Sequence, residues 1–139
     1  MLWALRCLTD HPVRPREAVM FDIDDTLITR NGKPMRDTIQ LLEYCKMLGY
    51  KVVLMTARPK SPFTKGQLSE LRIPYDYLMF VPAREKTRVK KQLKLKFIMS
   101  VGDKMSDLGG STYWIKLPES GDPRMFTNIS TCSRYSYTL

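Results

Sequence analysis

The sequence predicts a single α/β domain built on a doubly wound, parallel, five-stranded sheet. The first observation is size, because 139 residues are enough for one domain with a core but not for two. The second is a set of five short segments that are almost continuously apolar, as are parallel strands covered on both faces. The third is that helical segments separate these strands, and this alternation with right-handed crossovers gives the predicted architecture.

The predicted strands are bounded by polar or turn-forming residues. They lie at residues 18–23, 52–55, 77–81, 97–101 and 113–117. The first helix is expected at about 36–48, because its apolar residues share one face and Gly49 follows directly, as glycine often does after a helix. Ser61 and Pro62, a capping residue and a first-turn proline, open a second helix that reaches about Leu71.

Two further helical segments are expected before the last two strands. A third helix at about 85–95 carries Val89 and Leu93 inward, and a short fourth one starts near Lys104. We place the domain at residues 18–125, with residues 1–17 packing on it. Residues 126–139, rich in Ser, Thr and Tyr, are expected to form a surface-lying or partly disordered tail.

The composition predicts an intracellular protein, in the cytoplasm or the nucleus. No apolar run approaches the roughly 18–20 residues of a membrane span, and Arg6 interrupts the short apolar N-terminus, which does not resemble a signal peptide. Cys7, Cys45 and Cys132 are odd in number and far apart, which favours free thiols in a reducing compartment. The sequence does not indicate the oligomeric state.

The net charge of +9 is concentrated in one segment. Residues 84–96 hold seven basic and one acidic side chain, which leaves this segment at +6. A solvated helix face explains such a run, and so does an electrostatic surface for phosphates if the segment borders a phosphate site.

Polar side chains follow three of the predicted strands, at the edge where ligands bind in such sheets. The residues after strands one, two and four include Asp22, Asp24, Asp25, Thr56, Arg58, Asp103 and Asp107. Carboxylates brought together at one edge would repel one another and raise one another's pKa. A divalent cation removes this conflict, and oxygen-rich carboxylate ligands suit Mg²⁺.

Two lysines near the start of the third helix are candidates to join this site. Lys86 is favoured because it shares a helix face with Val89 and Leu93, while Lys90, one turn further on, remains the alternative. Arg58 is either a surface charge or a phosphate contact, and we include Arg58 and Lys90 as candidate substrate-binding residues. For Asp25 a turn or capping role is as good an explanation as any.

The chain contains four motifs in the order Asp22-x-Asp24-x-Thr26, the apolar run ending in Thr56, a following lysine and Gly102-Asp103-x₃-Asp107, and they span residues 18–117. These motifs resemble those of the haloacid dehalogenase superfamily of phosphotransferases. The resemblance implies that Asp22 is the nucleophile and forms an aspartyl-phosphate. It implies that Asp24 is the general acid and then the base that activates water.

The same resemblance implies a set of metal and phosphate contacts. Asp103 would bind Mg²⁺ together with Asp22 and the backbone carbonyl of Asp24, and Asp107 would act from the second layer or through water. Thr56 and a lysine, Lys86 or Lys90, would bind the phosphoryl oxygens.

Two other aspartate-rich sites fit the sequence less well. A calcium loop of the EF-hand type needs Gly at position six and Glu at position twelve, where this chain has Leu27 and Lys33. A receiver domain is expected, by resemblance, to carry its phosphorylated aspartate after the third strand, but Val81 is followed by Pro82 and Ala83.

The spacing leaves no room for a cap domain over the site. Only 29 residues separate Thr26 from Thr56, and a predicted helix uses about half of them. The remainder, residues 27–35, contains Asn31-Gly32 and is expected to form a short hairpin-like flap. In such an open site, a large substrate or another protein has to exclude water.

The expected function is Mg²⁺-dependent hydrolysis of a phosphomonoester at a nucleic-acid end or on a nucleotide. Thr56-Ala-Arg58 and the spacing through Ile73-Pro-Tyr-Asp76 are similar to polynucleotide 3′-phosphatase domains and related nucleotidases. The alternatives are a phosphoprotein phosphatase, or a non-catalytic module of this fold that binds nucleic acid or a partner protein.

Overall fold

The computed structural model describes residues 2–119 and 125–129, and a single sheet runs through them. Its strand order is β3-β2-β1-β4-β5-β6. The strands are β1 (Glu17–Phe21), β2 (Lys51–Thr56), β3 (Tyr77–Phe80), β4 (Lys96–Gly102), β5 (Tyr113–Lys116) and β6 (Phe126–Thr127). The first five pair in parallel, which confirms the predicted doubly wound sheet.

The N-terminal helix was not predicted, and the helices after it follow the predicted order with two differences in length. The helices are α1 (Leu2–Leu8), α2 (Arg36–Leu48), α3 (Pro62–Glu70) and α4 (Lys86–Gln92). The capping residues act as expected, because Ser61 Oγ accepts the Phe63 N–H at 3.0 Å and Gly49 takes a left-handed φ of 105°. α4 is shorter than predicted because Leu93 is already extended, and the expected fourth helix is a single 3₁₀ turn, Met105–Asp107.

The two faces of the sheet are covered unequally. On one face, α1, α2 and α3 pack into a large core that includes Leu8, Leu42 and Leu68. On the other face, the smaller core contains Met20, Val53, Met55 and Phe97, and within the described residues Val89 of α4 packs against it. The second face is therefore only partly covered.

The C-terminal segment differs from the expected tail at its start. β6 pairs antiparallel with β5, and Ile129 is buried in the main core. The Asn128 side chain accepts the Trp114 N–H at 2.7 Å and donates to the Thr112 carbonyl at 3.0 Å. Residues 130–139 lie outside the described part of the chain.

One expectation about the cysteines is wrong. Cys45 is a buried free thiol, as predicted, but Cys7 is disulfide-bonded. Cys132 lies outside the described residues. As for a membrane span, none of the helices described is both long and apolar enough to form one.

A buried carboxylate at the start of β1 is held by the segment after α1. Glu17 is 1% exposed, and its carboxylate accepts the Arg14 N–H at 2.8 Å and lies 2.9 Å from His11 Nε2. Burial alone would raise the pKa of Glu17, but the Arg14 and His11 hydrogen bonds lower it below its ordinary value. The hydrogen bond to Glu17 is also the main reason why the pKa of His11 is raised.

The His11–Glu17 pair predicts a pH-dependent contribution to stability. Because the pKa of His11 is raised, its contribution is complete below the ordinary value of 6.5 and is lost as the pH rises through the raised value. We expect His11→Gln to lower the free energy of unfolding at pH 6 by about 0.2–1 kcal/mol. Urea unfolding at pH 6 and pH 9 should show that this difference shrinks; a constant difference would contradict the ion pair.

Candidate active site

Three buried carboxylates meet at the carboxyl edge of the sheet. Asp22 follows β1, Asp103 follows β4 and Asp107 ends the 3₁₀ turn behind Asp103. Each offers one oxygen to a cluster in which these atoms lie within 4.8 Å of one another. They meet because β1 and β4 are paired neighbours that run in parallel, so their ends coincide.

Lys86 is the cation that contacts this cluster. Its Nζ donates to Asp22 Oδ1 at 2.9 Å and to Asp107 Oδ1 at 2.7 Å, and the side chain is buried. Lys86 is the first residue of α4, which brings it from the crossover between β3 and β4 to the sheet edge. The structure thus places Lys86 where the sequence favoured it.

Burial raises the pKa values of all three clustered carboxyl groups. Burial raises the pKa of Asp22 to about 6, although Lys86 acts to lower it, and burial also raises the pKa values of Asp103 and Asp107. Burial alone would lower the pKa of Lys86, but attraction to Asp22 and Asp107 raises it. With all three carboxyl groups ionised, the one ammonium of Lys86 would leave two negative charges uncompensated.

One oxygen of the cluster has no hydrogen-bond partner. Asp103 Oδ1 is buried and unpaired, and a buried polar atom of this kind costs free energy unless a ligand satisfies it. A hard divalent cation suits a cluster made only of carboxylate oxygens. The residues therefore fit Mg²⁺, with Asp22, Asp103 and Asp107 as the side chains within reach.

Gly102 makes the position of Asp107 sterically possible. A Cβ at residue 102 would lie 2.2 Å from Asp107 Oδ2 and 2.3 Å from its Cβ, well inside contact distance. Asp107 Oδ2 also accepts the Lys104 N–H at 3.2 Å, which closes the turn. The Gly-Asp pair after β4 is therefore a packing requirement of this site.

Lys90 lies behind the cluster rather than in it. Its buried Nζ donates to Ser100 Oγ at 2.9 Å and to the carbonyls of Asp107 and Gly109 at 2.5 and 2.7 Å. Burial lowers the pKa of Lys90 to about 8. Because these three acceptors occupy the ammonium, its placement does not fit the expected role in substrate binding; Lys90 instead supports the turn that carries Asp107.

Asp24 is not one of the three clustered carboxylates and pairs with Arg58 instead. Arg58 donates to both of its oxygens, with Nη2 at 2.7 Å from Oδ1 and Nε at 3.0 Å from Oδ2. The Asp24 side chain is 44% exposed, whereas that of Arg58 is 16% exposed. Of the four expected metal-binding residues, Asp24 is thus the one whose carboxylate lies outside the cluster.

Two polar residues of α3 hold Arg58, and the sequence reasoning missed both. Arg58 Nη1 donates to Gln67 Oε1 at 2.8 Å and to Thr64 Oγ1 at 3.3 Å. Thr64 and Gln67 are three residues apart and so share a helix face. Two polar residues at that spacing, in a helix that begins just after Arg58, are the feature of the sequence from which these contacts could have been predicted.

The threonines of the motifs are fully buried beside the site. Thr56 ends β2, and its Oγ1 accepts the Arg58 N–H at 3.1 Å. Thr26 Oγ1 is buried without a hydrogen-bond partner. Asp25 has a left-handed φ of 57° and accepts a hydrogen bond from Arg30, in agreement with a role in the turn.

The segment after the first motif forms the expected short flap. Thr29 N–H donates to the Lys33 carbonyl at 2.8 Å, Met35 N–H donates to the Leu27 carbonyl at 2.8 Å, and Gly32 has a φ of 81°. Ile28 and Pro34 form an antiparallel bridge. α2 begins directly after this flap, so no cap domain is inserted there.

Comparison with known proteins finds a match to a family model over part of the chain. Residues 19–77 match the model of a family described as haloacid dehalogenase-like hydrolases. No curated protein sequence is significantly similar to the chain.

Two solved structures share the fold. One is described as the Pnkp1/Rnl/Hen1 complex, with 22% identity and a TM-score of 0.59 over 76% of this chain and 47% of that chain. The other is described as the Pnkp1/Rnl/Hen1 RNA repair complex, with 21% identity and a TM-score of 0.61 over 76% of this chain and 43% of that chain.

This chain therefore spans less than half of the chains it matches. At such low identity the likeness shows the fold, while the family match covers the first two motifs. Over residues 19–77 the chain is similar to haloacid dehalogenase-like hydrolases, and it shares its fold with the two solved structures.

Proposed function

We propose that this chain is a Mg²⁺-dependent phosphomonoester hydrolase that works through an aspartyl-phosphate. The observation that carries the proposal is the contact between Asp22 and Lys86 inside a buried carboxylate cluster. The cluster offers a nucleophile, a cation beside it and an unpaired Asp103 oxygen for a metal. Phosphoryl transfer requires this combination of positioned nucleophile and positive charge.

In the first step a carboxylate oxygen of Asp22 attacks phosphorus. A bond forms between that oxygen and phosphorus while the bond from phosphorus to the leaving oxygen breaks. Asp24 gives its proton to the leaving oxygen. Because Arg58 holds Asp24 in the free site, Asp24 has to exchange this contact for the substrate.

In the second step water attacks the phosphorus of the aspartyl-phosphate. Asp24 accepts the proton of the water, the bond between Asp22 and phosphorus breaks, and inorganic phosphate leaves. Lys86 and Thr56 bind the phosphoryl oxygens in both steps. Asp22, Asp103, Asp107 and the Asp24 carbonyl would hold Mg²⁺, which neutralises negative charge on the phosphoryl group when bound.

For the substrate we propose a phosphate at a nucleic-acid end or on a nucleotide. The flap of residues 27–35 leaves the site open to a large substrate. The segment 84–96 borders the site through Lys86, but Lys86 and Lys90 are buried, so fewer of its seven basic side chains than expected face solvent. The shared fold with a chain of an RNA repair complex supports the same substrate class. We propose an intracellular location on that ground alone, because the disulfide of Cys7 removes the argument from free thiols.

Magnesium binding should stabilise the folded protein. We expect MgCl₂ at about 100 times its dissociation constant to raise the free energy of unfolding by about 2.7 kcal/mol. Asp103→Asn should remove most of this gain, because it replaces the unpaired carboxylate oxygen. Thermal unfolding with and without MgCl₂ measures both effects. Equal stabilisation of the two proteins would place the metal elsewhere.

The two buried lysines should respond differently to substitution. We expect Lys86→Met to lower kcat about 10²–10³-fold, because it removes the cation beside Asp22. Lys90→Met should mainly lower stability, because it leaves two carbonyls and Ser100 without their donor. Steady-state kinetics with an aryl phosphate, paired with urea unfolding, separate the two. A reversed pattern would make Lys90 the phosphate-binding lysine.

A substrate panel tests both the activity and its target. We expect phosphate release from a 3′-phosphorylated oligonucleotide and from mononucleotides to exceed release from a phosphopeptide. Asp22→Asn, the matched control, should lose activity by about 10⁴-fold or more while remaining folded. A preference for the phosphopeptide would indicate a phosphoprotein phosphatase. Equal rates for wild type and Asp22→Asn would indicate a non-catalytic module.

A further inference from the structure

The strand β3 ends the sheet on one side of the described structure. β2 pairs with it through the register Val53–Tyr77 to Thr56–Phe80, and the sheet order places no described strand beyond it. Tyr77 is 50% exposed and the next three residues are half-buried, in contrast to the buried β1 and β4. An apolar edge strand without a charge or proline is a template for pairing with another chain.

A groove of about 1210 Å³ runs along this open edge. Its lining includes Met79, which packs against the smaller core, and Leu78, which packs against the larger one. Since neighbouring residues of a strand point to opposite faces, a groove lined by both sets lies beside the strand itself.

The backbone of β3 leaves hydrogen-bonding groups facing this groove. The Asp76 N–H donates inward to the Val52 carbonyl at 2.9 Å. Because inward and outward groups alternate along a strand, the N–H groups of Tyr77 and Met79 point outward. An added strand would pair with them.

The two walls of the groove differ in chemistry. On the face of the smaller core the wall is mostly apolar and includes Met79, Leu93 and Leu95, with the exposed Lys94 between the two leucines. On the face of α3 the wall carries the exposed ammonium groups of Lys60 and Lys65. Asp76, the acidic residue of the lining, is occupied by the Val52 N–H and Lys46.

We propose that the open edge of β3 binds an extended segment of a partner protein in which acidic and apolar residues alternate. The backbone of this segment would pair with β3. Its apolar side chains would face Leu93 and Leu95, and its acidic ones Lys60 and Lys65. A second copy of this chain fits less well, because it would bring the same lysines together in a protein of net charge +9.

The test uses a fluorescein-labelled peptide of eight residues in which glutamate and valine alternate. We expect the wild type to bind this peptide. The control peptide has the same composition, with four glutamates followed by four valines, and should bind at least about tenfold more weakly. Tyr77→Pro removes an outward N–H and should weaken binding about tenfold or more. Tyr77→Thr, the matched control, keeps the N–H and should bind like wild type in fluorescence anisotropy.

Further measurements test peptide binding at β3 separately from the proposed phosphatase activity. Lys60→Glu with Lys65→Glu should also weaken peptide binding, while hydrolysis of an aryl phosphate stays unchanged. If Tyr77→Pro fails to fold, slower amide exchange of Tyr77 and Met79 in wild type with peptide would support the proposal, and unchanged exchange would overturn it. Equal binding of both peptides would overturn it as well.

Two other occupants give distinct results that would also overturn the proposal. The first is a single-stranded RNA oligonucleotide. If Lys60→Glu weakens its binding and Tyr77→Pro does not, the groove is assigned to nucleic acid. A dimer seen by light scattering without peptide, and lost in Tyr77→Pro, would assign it to a second copy of the chain.

Discussion

The contact between Lys86 and two buried aspartates is the interaction on which the rest of the site depends. Asp22 and Asp107 come from different parts of the chain, and their ammonium partner comes from a third. Three carboxylates out of water repel one another, so this arrangement is costly unless positive charge is supplied. The sheet edge, the short α4 and the turn after β4 are all placed so that this one cation can reach both acids.

Lys90 stabilises the turn that carries Asp107. Lys90 binds the carbonyls of Asp107 and Gly109, so two lysines one helical turn apart have separate tasks on the same acidic turn. Gly109 is needed there as well, because a Cβ at this position would lie 2.4 Å from Thr87 Oγ1. The site is therefore positioned by close packing as much as by charge.

Local sequence signals predicted the elements whose determinants are local. The five parallel strands followed from apolar runs, and α2 has the predicted bounds because Gly49 ends it. Features that depend on distant residues could not be predicted from local patterns. The strand β6 is only two residues long, and no local pattern indicates the disulfide of Cys7. The charged run 84–96 looked like a solvated face, yet Lys86 and Lys90 are buried because their partners come from distant turns. The contact of Asp24 with Arg58 likewise depends on α3.

The groove on the less covered side of the sheet lies close in sequence to the carboxylate cluster. The short helix that begins with Lys86 continues directly into Leu93 and Leu95, which form one wall of the outer groove. Because Leu93 is already extended, the helix itself ends before the groove. A molecule bound there would contact the segment that directly follows the helix carrying Lys86, so the groove and the carboxylate cluster share one continuous stretch of chain.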